Sequence, residues 1–461
     1  MRIAFLLVFL LSTSRAIGAD FTADFEIENV DKDFIMRSDS DPTRLDLNEY
    51  YSTKPPAVHF LEPADIKDCT LDDKPCDATK MISLKLSQNE YCAHPFRLRY
   101  VRNDQPHLFT VVVLGSQFPH YQVIGQSAIN DLILLSPFAL DSPTSANESK
   151  GTLLAIDPKG GVYFYRRYPH IVADFRPHQF GQTRIYSYLK AKRGIQALTI
   201  EGERVILNSQ FQPLRTLHDA SDLHEFLMLG PEHTINLISR KVRTPMGGCM
   251  LGNEISEKKR GKIIFQMNTA DLLKQGLTFP DFRLSAFAYD GEICQDIFHL
   301  NAIQILGKDK WLLGFARSVV MYDKKRKKVE WVFGGADSMF PVPEYLQAVF
   351  MHTAHWREDR QELTFFKNSS STTAGSQAYE VALDVKNRKV KSVKEVFKNL
   401  HISSGMGSVQ KTGDLVYSVY LGNKLNPEDI DFTEMSDGKA AFMLRFFEPF
   451  NAGYRAYRTP K

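Results

Sequence analysis

Three histidines recur at one phase of a loose repeat. The segments "DLHEFLML" (222–229), "IFHLNAIQIL" (297–306) and "VFMHTAHW" (349–356) each precede a turn and a new apolar strand, and they carry His224, His299 and His352. A fourth segment, "GMGSVQKT" (405–412), carries Ser408 at that point, and the successive intervals are 75, 53 and 56 residues. Imidazoles brought together can exchange protons near neutral pH, act as nucleophiles, or ligate zinc or iron. Asp222, Glu225 and Asp296 stand in or beside the same segments, where carboxylates would complete a metal site or orient the rings from behind. His355 lies three residues after His352. On a helix the two would clip one metal, whereas on a strand side chains alternate and the pair points to opposite faces. The stretch sits among short strands, so strand is the reading and His355 is a bystander.

The elements around these residues are short strands joined by tight turns. "GTLLAIDPKGGVYFYRR" (151–167) reads as strand, turn, strand. "KWLLGFARSVVMYDKKRKKVEWVFGG" (310–335) holds three strands in succession, and "ELTFFKN", "YEVALDV" and "KVKSVKEV" give three more before residue 396. Such spacing predicts a sandwich, barrel or propeller, and the repeat favours a propeller. Residues 151–461, 311 in all, divide into six repeats of about 52. The interval of 75 then marks one enlarged repeat, with the insertion around "EISEKKRGK" and "NTADLLKQGLTFPDF". Equivalent positions of successive blades meet around one channel, so His224, His299 and His352 form one candidate site. The segment "DSPTSANESKG" (141–151) is rich in turn-forming residues and sets a boundary. The expected architecture is all-β: a small N-terminal β-sandwich-like domain over 20–148, then a six-bladed β-propeller over 149–461.

The 461 residues are 43% hydrophobic and 11% aromatic, ample for a packed core. Basic residues number 57 and acidic ones 54, a net charge of +3. That balance gives no reason to expect nucleic acid as a partner. The basic runs "EKKRGK" (257–262) and "KKRKK" (324–328) read as solvated segments, the second as a hairpin turn. At the N-terminus, Arg2, the apolar run Ile3–Leu11 and the small residues Ala16 and Ala19 have the layout of a cleaved signal peptide over residues 1–19. The run is too short to span a membrane, and no later stretch is long and apolar enough. The mature chain, without Arg2 and Arg15, would carry +3 − 2 = +1 and be secreted or periplasmic. In an oxidising compartment the five cysteines, Cys69, Cys76, Cys92, Cys249 and Cys294, leave at least one unpaired within the chain. Cys69 with Cys76 is the easiest local pair. Asn147 and Asn368 match the N-glycosylation sequon.

Residues 296–368 resemble the arylsulfotransferase family, the bacterial-type enzymes that use no nucleotide donor. The family pattern D-x-x-H-x-N, then Arg, W-x-x-G-G, F-x-x-Q-H and a strand ending F-D-N is matched in order by Asp296, His299, Asn301, Arg317, Trp331, Gly334, Gly335, Phe350, His352 and Asn368. "DLHEF" fits the family's earlier histidine motif at His224, and "GMGSVQ" and "YRAYR" fit more loosely. Two positions depart from it: Met351 stands in place of Gln, and Lys367 in place of Asp. The resemblance implies a sulfuryl transfer from a phenolic sulfate ester to another phenol, through an N-sulfohistidine on His352 in a ping-pong reaction. It implies that Arg317 faces the anionic group, that His224, His299 and Asn301 add donors, with one histidine moving a proton, and that no cofactor, metal or nucleotide takes part. Dimers are known in the family. An arginine and an asparagine beside the histidines suit an anion better than a cation. The other readings are a non-catalytic secreted propeller that binds a sulfated ligand or a protein, which the two departures would favour, and a His-ligated metalloenzyme. Trp331, Gly334 and Gly335 read as a packing aromatic and a glycine turn.

Overall fold

The computed structural model describes residues 20–460 except 22–24, 29–34, 38–48, 53–56, 85–93, 114–120, 139–150, 193–199, 244–246, 279–285, 290, 348–349, 370–374, 400–401, 425, 427–428 and 448–451. The signal-peptide segment, most of the 141–151 boundary, Cys92 and Asn147 lie outside the described residues. Among those residues the chain is almost wholly β, and its helical pieces are three 3₁₀ segments, Pro63–Asp65, Thr269–Gln275 and Glu344–Leu346. The all-β expectation holds.

The chain divides into two compact units, residues 1–34 with 42–118 and residues 35–41 with 119–461. The smaller has two sheets. Val58 and Phe60 of one sheet share an apolar cluster with Cys69, Phe96, Leu98 and Tyr100 of the other. Cys69 and Cys76 are bonded, as their spacing suggested.

The larger unit has six sheets, each built mainly from strands that follow one another in sequence and pair antiparallel. Their first strands in chain order after Asp131–Phe138 are Val172–Phe180, Phe226–Gly230, Ala302–Leu306, Phe350–Arg357 and Ser408–Lys411. The strand Asp131–Phe138 belongs to this unit, although the sequence places it with the N-terminal half. It pairs with Gly151–Ile156 on one side and with the last strand, Ala452–Pro460, on the other. An early strand of the unit and its last strand are thus joined within one sheet.

The long interval between His224 and His299 has a visible cause. The third sheet completes four strands at Asn268, and the chain then adds a 3₁₀ segment and the hairpin Ala286–Tyr289/Glu292–Asp296 before reaching His299. The extra residues therefore follow "EISEKKRGK", which is itself strand and turn. The disulfide Cys249–Cys294 and the Met250–Gln295 pairing hold the hairpin to the sheet, and Asp296 ends its last strand. "KKRKK" forms the turn between Val319–Asp323 and Lys328–Phe333, and Lys325–Lys328 are exposed.

Apolar side chains of neighbouring sheets fill the spaces between them. Trp331 lies between Phe340 and Trp356, with ring centroids at 5.9 and 5.4 Å, in a cluster that includes Met351, Leu363 and Phe365. Trp331 is a packing residue. Gly334 has φ 81°, and a Cβ there would lie 2.8 Å from the Arg317 carbonyl oxygen, so the turn beside Arg317 requires glycine.

Candidate active site

The sequence repeat corresponds to a structural one. His224 and His299 sit in the links that enter the strands Phe226–Gly230 and Ala302–Leu306, while His352 is the third residue of Phe350–Arg357. The His224 and His299 rings meet edge to face at 4.8 Å, and His299 lies 6.3 Å from His352. Two further rings complete the group. Phe350 stacks on His352 at 4.9 Å and meets His299 at 4.8 Å, and Tyr454 of the closing strand lies 5.4 Å from His224 and 6.4 Å from His352. The three histidines are 4%, 3% and 1% exposed in chain order, so this is an interior site.

Each imidazole is held through Nδ1, but by different chemistry. Asp222 accepts the His224 backbone N–H at 2.7 Å and also bonds its Nδ1. Asp296 does the same for His299, with the backbone N–H at 3.0 Å and Nδ1 at 2.6 Å. Each carboxylate thus fixes both ring and backbone, which also steadies His299 in its left-handed conformation at φ 45°. His352 has a neutral partner instead: its Nδ1 lies 2.6 Å from Oδ1 of Asn368, a residue paired across the sheet with Phe350. Carboxylates accept only, so Nδ1 of His224 and His299 carries hydrogen and Nε2 faces away from the partner. Burial pushes the His352 pKa well below the ordinary histidine value. The neighbouring His299 adds to this, the Asn368 hydrogen bond opposes it, and His224 and Arg455 lower it further. His352 is a neutral imidazole at neutral pH.

Beside the rings lies a buried charge network. Glu225, next to His224, accepts from Arg176, from Arg455 at 3.1 Å and from the Ile303 N–H at 3.1 Å. Asp174 accepts from Arg176 at 2.7 Å, Arg204 at 2.6 Å and the Tyr457 hydroxyl at 2.8 Å. Burial alone would raise the Asp174 pKa, and the Arg176 and Arg204 guanidiniums reverse that and lower it. Three guanidiniums face two carboxylates here, all five groups at most 4% exposed, and Asp222 and Asp296, 0% and 3% exposed, add two more carboxylates beside the rings. Arg455 also bonds the Asn301 carbonyl, which accepts from the Tyr454 hydroxyl at 3.2 Å as well. A cavity of about 410 Å³ is walled by Arg176, Glu225, Ile303, Val409, Arg455 and Tyr457 among others, and its walls include none of the three histidines.

Asn301 is 1% exposed and donates from Nδ2 to the Met351 carbonyl at 2.6 Å, while its Oδ1 has no partner among the described residues. Arg317 is half-buried on the turn after Lys310–Gly314. That turn is tied to the strand that carries His352, because the Ala316 carbonyl accepts the Met351 N–H at 2.6 Å. The Met351 side chain packs in the core with Phe333, Phe340 and Leu346. Lys367 donates to the Tyr345 carbonyl at 2.5 Å. Asn368 is 2% exposed and bonded to His352, so the sequon match there does not present an accessible glycan acceptor.

The pair in "HTAH" separates for a different reason from simple alternation. A bulge lies between the two histidines, with Thr353 at φ 52°, and His352 and His355 register against Phe366 and Thr364. Those partners are two apart, so the parity argument for opposite faces does not hold. His352 is buried against Asn368, whereas His355 is exposed, with Nε2 3.1 Å from Gln304. Among the described residues, the one trio of His, Cys, Asp or Glu with ligand atoms within 4.8 Å of one another is Cys249, Glu292 and Cys294, and the two sulfurs there are bonded to each other. The three site histidines do not form such a trio.

Three buried imidazoles, each held through Nδ1, thus lie together with buried guanidiniums and carboxylates on an all-β scaffold. The family model described as Arylsulfotransferase (ASST) matches residues 205–440, which is 236 of 461 positions. The chain belongs to the arylsulfotransferase family, whose function is aryl sulfotransfer on small-molecule substrates. Among curated proteins none matches the sequence. Similar solved structures include U3-55K, at 11% identity and TM-score 0.36 over 83% of this chain and 98% of that one. An apocarotenoid oxygenase of Synechocystis has 9% identity and TM-score 0.34 over 74% and 95%. Likenesses at these scores say nothing of what the chain does. The two disulfides are consistent with a secreted or periplasmic protein. Among the described residues no helix is long and apolar enough to cross a membrane.

Proposed function

We propose that the chain is an exported sulfotransferase that moves a sulfuryl group from a phenolic sulfate ester to another phenol through a covalent N-sulfohistidine on His352. The six sheets of the larger unit are read as the blades of a β-propeller, with the histidines at its channel. The observation that carries the mechanism is the state of His352: buried, neutral, and bonded through Nδ1, which leaves Nε2 for attack. In the first step the Nε2 lone pair forms the N–S bond while the bond from sulfur to the phenolic oxygen breaks, and the phenolate leaves with that electron pair. In the second step the oxygen of the acceptor phenol attacks sulfur and the N–S electrons return to Nε2. His224 or His299, backed by its carboxylate, gives a proton to the leaving phenolate and takes one from the acceptor. Arg317 faces the sulfuryl oxygens with its planar fork of donors. Asn301 has its second amide hydrogen and its Oδ1 left for a substrate.

Met351 and Lys367, the departures that would favour a non-catalytic binder, point to no loss at the site: one packs in the core and the other bonds the Tyr345 carbonyl. The test is turnover of a chromogenic aryl sulfate with and without a phenol acceptor. Acceptor-dependent phenol release that is lost in His352→Ala supports the reading. Folded protein that turns over none of several aryl sulfates contradicts it.

A further inference from the structure

We infer that Asn368 is the positioning residue that selects the reactive tautomer of His352, an inference that rests on the reading of His352 as the nucleophile. An asparagine next to an imidazole is ambiguous by itself, because its amide can present either oxygen or NH₂. Here the surroundings remove the ambiguity. Nδ2 of Asn368 lies 2.9 Å from the Ser403 carbonyl, 3.2 Å from the Ser403 hydroxyl and 2.9 Å from the Met406 carbonyl. Turning the amide over would set its oxygen against two carbonyls and leave NH₂ toward His352. The amide therefore presents Oδ1 to the ring, and Nδ1 must carry the hydrogen. A neutral imidazole has one N–H, so the lone pair is on Nε2.

The clamp is itself fixed. The Ser403 N–H donates to the Ser376 hydroxyl at 2.9 Å, and the Ser403 hydroxyl donates to the Gly405 carbonyl at 3.1 Å. The Thr353 hydroxyl, next to His352, donates to the Gly407 carbonyl at 3.1 Å. Segment 403–407 thus holds both the amide and the nucleophile strand.

The choice of an amide has a chemical consequence. A carboxylate would fix the same tautomer but would also stabilise the imidazolium, which has no lone pair to attack sulfur. The two histidines from which the proton carrier is drawn have aspartates, and the one that attacks has an amide. The three partners divide the roles of three otherwise similar rings.

The test uses the full mature chain with ¹⁵N-labelled histidine, the His352 signal being assigned by its loss in His352→Gln. Wild type should show protonated Nδ1 and unprotonated Nε2, and Asn368→Ala should shift toward protonated Nε2. The burst of phenol release from a chromogenic aryl sulfate should fall on the order of 10-fold or more in Asn368→Ala. Asn368→Asp keeps the shape and covers the case in which the alanine variant does not fold. It should move the acid limb of the burst to higher pH, a change that loss of packing would not produce. The inference is overturned if wild-type His352 carries its hydrogen on Nε2, or if folded Asn368→Ala and Asn368→Asp keep the wild-type tautomer, burst and pH profile. The Nδ1–H tautomer in a protein that turns over no aryl sulfate would leave the positioning intact and count against the sulfotransferase reading instead.

Discussion

Replacing Glu225 by Gln removes one negative charge from the buried network while keeping its shape. In the native site this carboxylate, 4% exposed, bridges Arg176 and Arg455 and takes the Ile303 N–H at 3.1 Å. Breaking a buried ion pair from one side costs about 3–5 kcal/mol, because the partner charge is left uncompensated. Gln retains one oxygen, enough for Ile303 or one guanidinium, and Arg176 keeps Asp174 at 2.7 Å, so the low end, about 3 kcal/mol, applies. For a unit of this size about 2 °C of melting temperature is lost per kcal/mol, which gives a fall of about 6 °C. Thermal unfolding by circular dichroism measures it. The double variant Glu225→Met with Arg455→Met removes charges of both signs and should lose less than the sum of the single variants. A melting temperature for Glu225→Gln within about 1 °C of wild type would refute the idea that the Glu225 carboxylate is needed to compensate these guanidiniums.

Stability should fall on the acid side for a defined reason. Burial depresses His352 well below the ordinary value of 6.5, and burial, followed by Arg176, pushes His178 down to about 3. The unfolded chain then binds more protons than the folded one as pH drops below 6.5, so stability is full above 6.5 and declines from there toward the folded pKa values. Melting temperatures from pH 7 to 4 should show that decline, and His178→Phe should flatten it; an unchanged slope would contradict the assignment. Met351→Gln, which restores the family residue, should destabilise by about 1–3 kcal/mol by burying an amide in an apolar cluster, with the burst of phenol release retained. Gly407→Ala should destabilise by about 2 kcal/mol or more, because φ is 96° and the new Cβ would lie 2.7 Å from the Phe366 ring and 2.8 Å from the Tyr420 carbonyl; denaturant titration reads this.

The phase of His224, His299 and His352 was legible because each lies at or just before the start of a first strand, and such a phase survives insertions elsewhere in the repeat. Asp222 and Asp296 were legible too, since they lie within three residues of the rings they hold. Asn368 was visible as a motif residue, but its role depends on cross-strand register, which brings residue 368 opposite Phe350, and no local pattern encodes that. Tyr454 and Arg455 were harder still, because the strand Ala452–Pro460 pairs with Asp131–Phe138 more than 300 positions away. The same closure explains why Asp131–Phe138 read as part of the N-terminal half. The separation of His352 from His355 was read by alternation, and the bulge at Thr353 breaks alternation without a glycine to announce it.

The central claim is that His352 carries the sulfuryl group between donor and acceptor. Intact-mass measurement after incubation with an aryl sulfate alone tests it most directly, with peptide mapping to locate the adduct. The expected result is one SO₃ unit per chain on His352, lost on adding a phenol acceptor and absent from His352→Ala. Turnover without any adduct after a rapid alkaline quench, or an adduct on another residue, would contradict it.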